Sequence, residues 1–341
     1  MKAAVLTAPR TASIEERAVP TPGPADVLIR VHTCGVCGTD SHIYEGEFLV
    51  RFPVVPGHEL SGTVAEVGSD VRHVRPGDPV TVDPNIVCGV CRFCREGAVN
   101  LCENLTAVGV NRDGGFAEYC LAPAAQVYRL PDGLSMEAGA FAEPVACCLH
   151  GLDRCGLRAG DRILVLGGGA IGQIMVQLCR SAGAQQIVLS EPVRGRRELA
   201  LESGADRVLD PTSEDVVAQV RELTAGGADL VIECSGSASA VEQAVQSARR
   251  GGRILLFGVA PEGAVSSIRP YDVFIRELSI FGSFVNPFTH ARAVAALASR
   301  RVRPEGLITH RFGVEQFVEA LGTSRSGDAV KVVVQPASGE S

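Results

Sequence analysis

DRILVLGGGAIGQIMVQLCRSAGAQQIVLSE, residues 161–191, holds the key to the fold. An apolar run, RILVL, enters a turn of glycines and leaves it as IGQIMVQLCRSAG, whose apolar residues fall at helical spacing; a second apolar run, QIVLSE, follows. That is strand, turn, helix, strand, the unit that joins parallel neighbours. The alternation continues through RGRRELALESG, DLVIECSG, SAVEQAVQSARR and GRILLFGV, so this region is predicted as a parallel sheet with helices on both faces.

The turn itself, Gly167-Gly168-Gly169-Ala170-Ile171-Gly172, satisfies G-x-G-x-x-G in the required context, directly after a strand and before a helix. Missing side chains let the turn close, let backbone approach a pyrophosphate, and let the helix N-terminus face the phosphates. A tight structural connection is the bland alternative. Against it stands Glu191, at the end of the next apolar run, about 20 residues on, where a carboxylate takes the ribose hydroxyls of NAD. An acid there repels a 2'-phosphate, so NAD is expected ahead of NADP. Arg194, Arg196 and Arg197 are the residues able to meet an adenosine phosphate, and Arg196 is included among the cofactor-binding candidates; the alternative for such arginines is a solvated helix face.

Working outward, residues 1 to about 145 are short β-branched segments punctuated by Gly and Pro, such as DVLIRVHTCG, GTVAEVG and GDPVTVDP, the texture of an irregular, barrel-like β domain. After ELSIFGSF (277–284) come an amphipathic helix near THARAVAALAS and two strand-like runs, ITHRF and AVKVVVQP, which are expected to return to the first domain. The expected division is 1–147 with 285–341, and 148–284 for the dinucleotide. The final ASGES is expected to fray.

At 341 residues the chain is long enough for two cores. Hydrophobic residues make up 46%, charged residues 21%, and no long uncharged apolar run suggests a membrane span. The net charge of -7, with signs interspersed, argues against a nucleic-acid partner. The opening residues show no apolar leader, which makes the cytoplasm the expected location. Twelve cysteines in a reducing compartment point to metal ligands or small buried residues rather than disulfides.

Four of them, Cys88, Cys91, Cys94 and Cys102, lie within CGVCRFCREGAVNLC. Four thiolates can close a tetrahedron around Zn2+ and leave no open position, as a structural site requires. The Cys-Pro that a bacterial ferredoxin run demands is absent. A second, dispersed set comprises Cys37, His58, Glu59 and Glu143, an acceptable group for zinc with a free position. Spacing alone leaves the bland readings of those four residues in front: a small buried thiol, a loop histidine, a surface acid and a helix N-terminal acid.

GHELSGTVAEVGSDV (57–71) resembles the zinc signature of the medium-chain alcohol dehydrogenases. CGVCGTDSHIY (34–44), the four-cysteine lobe, PGDPV (76–80), Glu143-Pro144 and GGGAIG follow the family's pattern and cover essentially the whole chain. Glu143 stands where liver-type members carry a cysteine ligand, which resembles the sorbitol and threonine dehydrogenase branch. The resemblance implies an α/β chain with a β-rich GroES-like catalytic domain and a Rossmann domain. It implies two zinc ions, the catalytic one held by Cys37, His58 and either Glu143 or Glu59, with the other glutamate at the metal-bound water. Thr39 and His42 are similar to the family's proton relay. The implied substrate is a secondary alcohol or polyol, and the paired glutamates offer acceptors for several hydroxyls. Threonine oxidation, NADP-linked carbonyl reduction, a zinc-free quinone reductase and a non-catalytic zinc-ribbon interaction protein are the competing readings. A homotetramer or homodimer is implied by the same likeness.

Overall fold

A computed structural model describes residues 1–47 and 50–336; the ASGES segment lies outside them. The chain separates into two compact units, Met1–Ala146 with Val285–Ser341, and Cys147–Phe284.

In the first unit β1 (Lys2–Ala8) and β2 (Thr11–Glu16) form an antiparallel ribbon. β3 (Asp26–Gly35) leads through α1 (Gly38–Glu45) to β4 (Glu59–Val67) and β5 (Pro79–Val82). A small ribbon, β6 (Asn85–Ile86) with β7 (Thr106–Ala107), flanks the lobe that carries α2 (Arg92–Arg95). β8 (Tyr119–Pro123), β9 (Val127–Arg129) and α3 (Met136–Gly139) follow. α4 (Ala142–Cys155) begins in this unit and ends in the second.

The second unit alternates β10 (Arg162–Leu166), α5 (Ala170–Ser181), β11 (Gln186–Ser190), α6 (Arg194–Ser203), β12 (Arg207–Leu209), α7 (Val216–Leu223), β13 (Ala228–Glu233), α8 (Ala238–Ser247), β14 (Ala248–Leu256), α9 (Pro270–Ile275) and β15 (Ser279–Gly282). The chain then returns to the first unit with α10 (His290–Ala298), β16 (Ile308–Phe312), α11 (Phe317–Ser324) and β17 (Lys331–Val334).

The first unit's main sheet runs β16-β17-β3-β4-β5-β9, with β8 on β3. ITHRF and KVVV thus do return to it: Val334 pairs with Cys34 and Val333 with Gly35, which brings the C-terminal strand beside the end of β3. The core gathers Ile29, Leu60, Val80, Phe116 and Phe317, with the Phe116 and Phe317 rings 5.0 Å apart.

In the second unit the six strands run β12-β11-β10-β13-β14-β15, all parallel. Strand β10 is buried along nearly its whole length, which is why RILVL is continuously apolar rather than alternating. The order reverses direction between β10 and β13. A doubly wound sheet of this kind takes its ligand outside the carboxyl ends of the strands at such a reversal, and the glycine turn follows β10 directly.

Candidate metal centres and cofactor site

Two positions of the glycine turn, Gly167 and Gly172, exclude a side chain, one by its backbone conformation and one by crowding. Gly167 has φ +101°, and a Cβ on Gly172 would fall on the Gly167 carbonyl oxygen. A Cβ on Gly169, the N-cap of α5, would meet open space, so backbone there stands ready for a ligand rather than packed away. Glu191 follows the last residue of β11. It is buried, and its carboxylate accepts from the Gly168 N–H at 2.7 Å and the Val193 N–H at 2.9 Å. Gln173, fully buried in α5 and not singled out by sequence, donates to the Gly168 and Arg196 carbonyls, 2.9 Å each, and braces turn and helix.

The three arginines separate by environment. Arg194 pairs on the surface with Glu198 at 2.8 Å. Arg197 is taken up by Asp210 at 3.0 Å and by the Glu191 and Pro192 carbonyls. Arg196 lies beside Glu191, Nη1 to Oε1 3.9 Å.

In the lobe, the four sulfurs of Cys88, Cys91, Cys94 and Cys102 lie within 4.8 Å of one another. A tetrahedral zinc with bonds of about 2.3 Å sets sulfurs about 3.8 Å apart, so the group fits that ion. Backbone N–H groups point at the sulfurs: Cys91 to Cys88 at 3.4 Å, Cys88 and Asn104 to Cys102 at 3.3 and 3.4 Å. Hydrogen bonds from the Val90 and Cys91 backbone pull the Cys88 thiol down to about 6, which favours the thiolate that a metal binds. Desolvation and the neighbouring thiols push Cys94 up to about 12.

The second group assembles where β3, α1 and β4 meet. Cys37 is the N-cap of α1, His58 directly precedes β4, and Glu59 opens it and pairs with Gly35 of β3. Their ligand atoms converge within 4.8 Å. Glu143 is buried in the first turn of α4 but stands outside that group; its charge meets the positive end of a helix. Of the two glutamates left open by sequence, the geometry brings Glu59 to the thiol and imidazole.

Two residues here escaped the sequence reading. Asp40, fully buried, accepts the Cys37 backbone N–H at 2.8 Å and places its other oxygen 3.6 Å from His58 Nδ1. A carboxylate behind a ligating imidazole fixes its tautomer and orientation. Burial pulls the His58 pKa down, yet Asp40 and Cys37 outweigh it and hold the ring well above its ordinary range. Lys331, from β17, forms an ion pair with Glu59 and donates to the Val36 carbonyl at 3.1 Å. Burial works against its charge; Glu59, Cys37 and Asp40 overcome this and raise its pKa.

Thr39 Oγ1 lies 3.8 Å from Cys37 Sγ. One turn further along α1, His42 Nδ1 stands 2.5 Å from Glu47 Oε2.

The family model of the alcohol dehydrogenase GroES-like domain matches residues 23–132, and that of the zinc-binding dehydrogenases matches 170–300. A D-arabinitol dehydrogenase of Uromyces fabae is 37% identical over 98% of this chain and 97% of its own length. An L-threonine 3-dehydrogenase of Pyrococcus abyssi is 36% identical over 94% of each. This chain is a zinc-containing medium-chain dehydrogenase of the polyol and threonine branch. Structures of other medium-chain dehydrogenases superpose on it throughout. A 2R,3R-butanediol dehydrogenase of Bacillus subtilis has TM-score 0.91 at 31% identity, covering 98% of this chain and 99% of that one. A protein described as a zinc-binding dehydrogenase from Sinorhizobium meliloti, bound to NADP, has TM-score 0.95 at 44% identity, covering 98% and 99%. Like other medium-chain dehydrogenases of this kind, the chain is an NAD(P)-dependent oxidoreductase acting on alcohols.

Proposed function

We propose that the chain oxidises a secondary hydroxyl of a small polyol or diol to the ketone, reversibly, with NAD ahead of NADP. The observation that carries this is the meeting of Cys37, His58 and Glu59 in a buried site with Asp40 behind the imidazole. In this reading residues 148–284 bind the dinucleotide, and 1–147 with 285–341 hold both zinc ions. Zinc, when bound, supplies a Lewis acid that lets a hydroxyl lose its proton near neutral pH, and the nicotinamide supplies the hydride acceptor. The protein's own tasks are then to hold, orient and carry away a proton. Cys37, His58 and Glu59 form the ligand set, with Glu143 near the substrate side. Thr39 takes the proton first, and His42, oriented through Nδ1 by Glu47, passes it toward solvent. The Cys88, Cys91, Cys94 and Cys102 lobe holds the structural ion.

Gly167, Gly169, Ala170, Ile171 and Gly172 cradle the pyrophosphate and Glu191 takes the adenosine ribose. Arg196 beside Glu191, together with the NADP-bound relative, favours a secondary use of NADP. The relatives named for arabinitol, sorbitol, butanediol and threonine set the test panel. A homodimer, or a tetramer built from it, is supported by β15, an edge strand that exposes Ile280, with Phe284 exposed just beyond its end. A reducing, cytoplasmic setting is supported by the gathering of four of the twelve cysteines, Cys88, Cys91, Cys94 and Cys102, into a thiol cluster of metal-ligand geometry.

The deciding experiment measures zinc per chain and NAD or NADP reduction with arabinitol, sorbitol, 2,3-butanediol and threonine. Two zincs and NAD-dependent turnover of a vicinal diol support the proposal. One zinc that survives Cys37→Ser would leave the ligand set without a metal and overturn it.

A further inference from the structure

Among the described residues Lys331 is the one buried lysine or arginine, 6% exposed. It comes from β17, at the far end of the chain, and its ammonium enters between β3 and β4. There it pairs with Glu59, itself 1% exposed, and donates to the Val36 carbonyl at 3.1 Å. Gly35 makes the slot: a Cβ there would collide with the Glu59 carboxylate and come within 2.8 Å of Lys331 Cε. Burying a lysine is costly unless it is paired, and nothing in the packing of β17 calls for a charge, since Val332, Val333 and Val334 beside it are all buried. The cation is placed for Glu59, which also lies within 4.8 Å of the Cys37 and His58 ligand atoms.

One carboxylate thus has two suitors, an ammonium fixed in the fold and a metal at the ligand set. We propose that Lys331 is a positioning residue that competes with the metal for Glu59 and keeps it an exchangeable ligand, able to give up its place when a hydroxyl substrate arrives. This rests on the reading of Cys37, His58 and Glu59 as a zinc site. The competition has a definite sign. Lys331 stabilises the metal-free anion of Glu59 and repels an incoming cation, so its presence weakens metal binding. An ordinary supporting contact does the opposite: its loss typically weakens a metal site about 10- to 100-fold.

The test compares zinc release to a chromogenic chelator from the fully loaded full-length wild type, Lys331→Met, Glu59→Gln and the Glu59→Gln/Lys331→Met double variant. Cys37→Ser identifies the release phase of this site against that of the four-cysteine lobe. Lys331→Met is expected to release zinc from this site more slowly, by about tenfold, to melt lower than wild type when metal-free, and to lose kcat with little change in zinc content. In the Glu59→Gln background the same lysine change should slow release much less. Release from Lys331→Met that equals or exceeds the wild-type rate would overturn the proposal. So would an equal slowing in both backgrounds, because Glu59 would then play no part. If Lys331→Met fails to fold, the double variant, which removes both charges together, is compared with Glu59→Gln alone; faster release from the double overturns the proposal, and an unchanged or slightly slower rate supports it. A wild type holding a single zinc that Cys37→Ser does not remove defeats the site reading itself, and is recognisable as such.

Discussion

Asp40 and Lys331 show how a residue's role depends on what stands behind it. In the sequence, Asp40 sits between Thr39 and His42 with nothing to mark it out. In the fold one of its oxygens caps Cys37 and the other faces His58 at 3.6 Å, so it serves both neighbours at once. Asp40→Asn should therefore weaken zinc at the Cys37, His58 and Glu59 site about 10- to 100-fold while leaving the four-cysteine ion in place; competition with a calibrated chelator measures both. Lys331 was hidden for a different reason. A lysine in a strand-like run such as AVKVVVQP ordinarily faces solvent, and only its place among valines hints otherwise. Glu191, by contrast, was legible because its offset from the glycine turn has a mechanical reason, whereas His58 stood out only through the family resemblance of GHELSGTVAEVGSDV.

The elements carry their functions through short, crowded turns. The glycine turn after β10 depends on Gly172, whose missing Cβ leaves space for the Gly167 carbonyl. Gly172→Ala is expected to raise the NADH dissociation constant at least about tenfold, the scale of one lost phosphate-binding contact, with zinc content unchanged; titration followed by NADH fluorescence reads it directly. In the lobe of residues 88–102, α2 and a short turn at Val99–Leu101 offer little core of their own, and Leu101 and Val90 are exposed. In the proposed reading, the zinc held by Cys88, Cys91, Cys94 and Cys102 is what keeps such a lobe together. Cys94→Ser should remove one zinc per chain and open the lobe to limited proteolysis between residues 88 and 102; a variant that retains two zincs and resists cleavage would contradict this.

At the scale of the molecule, a cost is built into the first unit. His290 at the start of α10 is 1% exposed, packs at a tilt against the Tyr128 ring with centroids 4.7 Å apart, and neither ring nitrogen has a hydrogen-bond partner. Burial drives its pKa down to about 3. The unfolded chain takes up that proton near pH 6.5 and the folded chain does not, so stability falls as pH drops below about 6.5, approaching about 1.4 kcal/mol per unit. His290→Leu should flatten this acid slope, measured by urea unfolding between pH 7 and 5; an unchanged slope would assign it to other groups. No helix among the described residues is long and apolar enough to cross a membrane, in line with the absence of any long apolar run in the sequence. Sequence alone determined the doubly wound sheet, the glycine turn with its acid, and the four-cysteine lobe, because in each the interacting groups are close along the chain and periodicity or spacing reports them. Tertiary structure decided which glutamate meets Cys37 and His58, that Asp40 stands behind the imidazole, and that Lys331 arrives from nearly 300 residues away. Those contacts depend on the pairing of β17 with β3 and of β3 with β4, and no local pattern encodes a register set by distant strands.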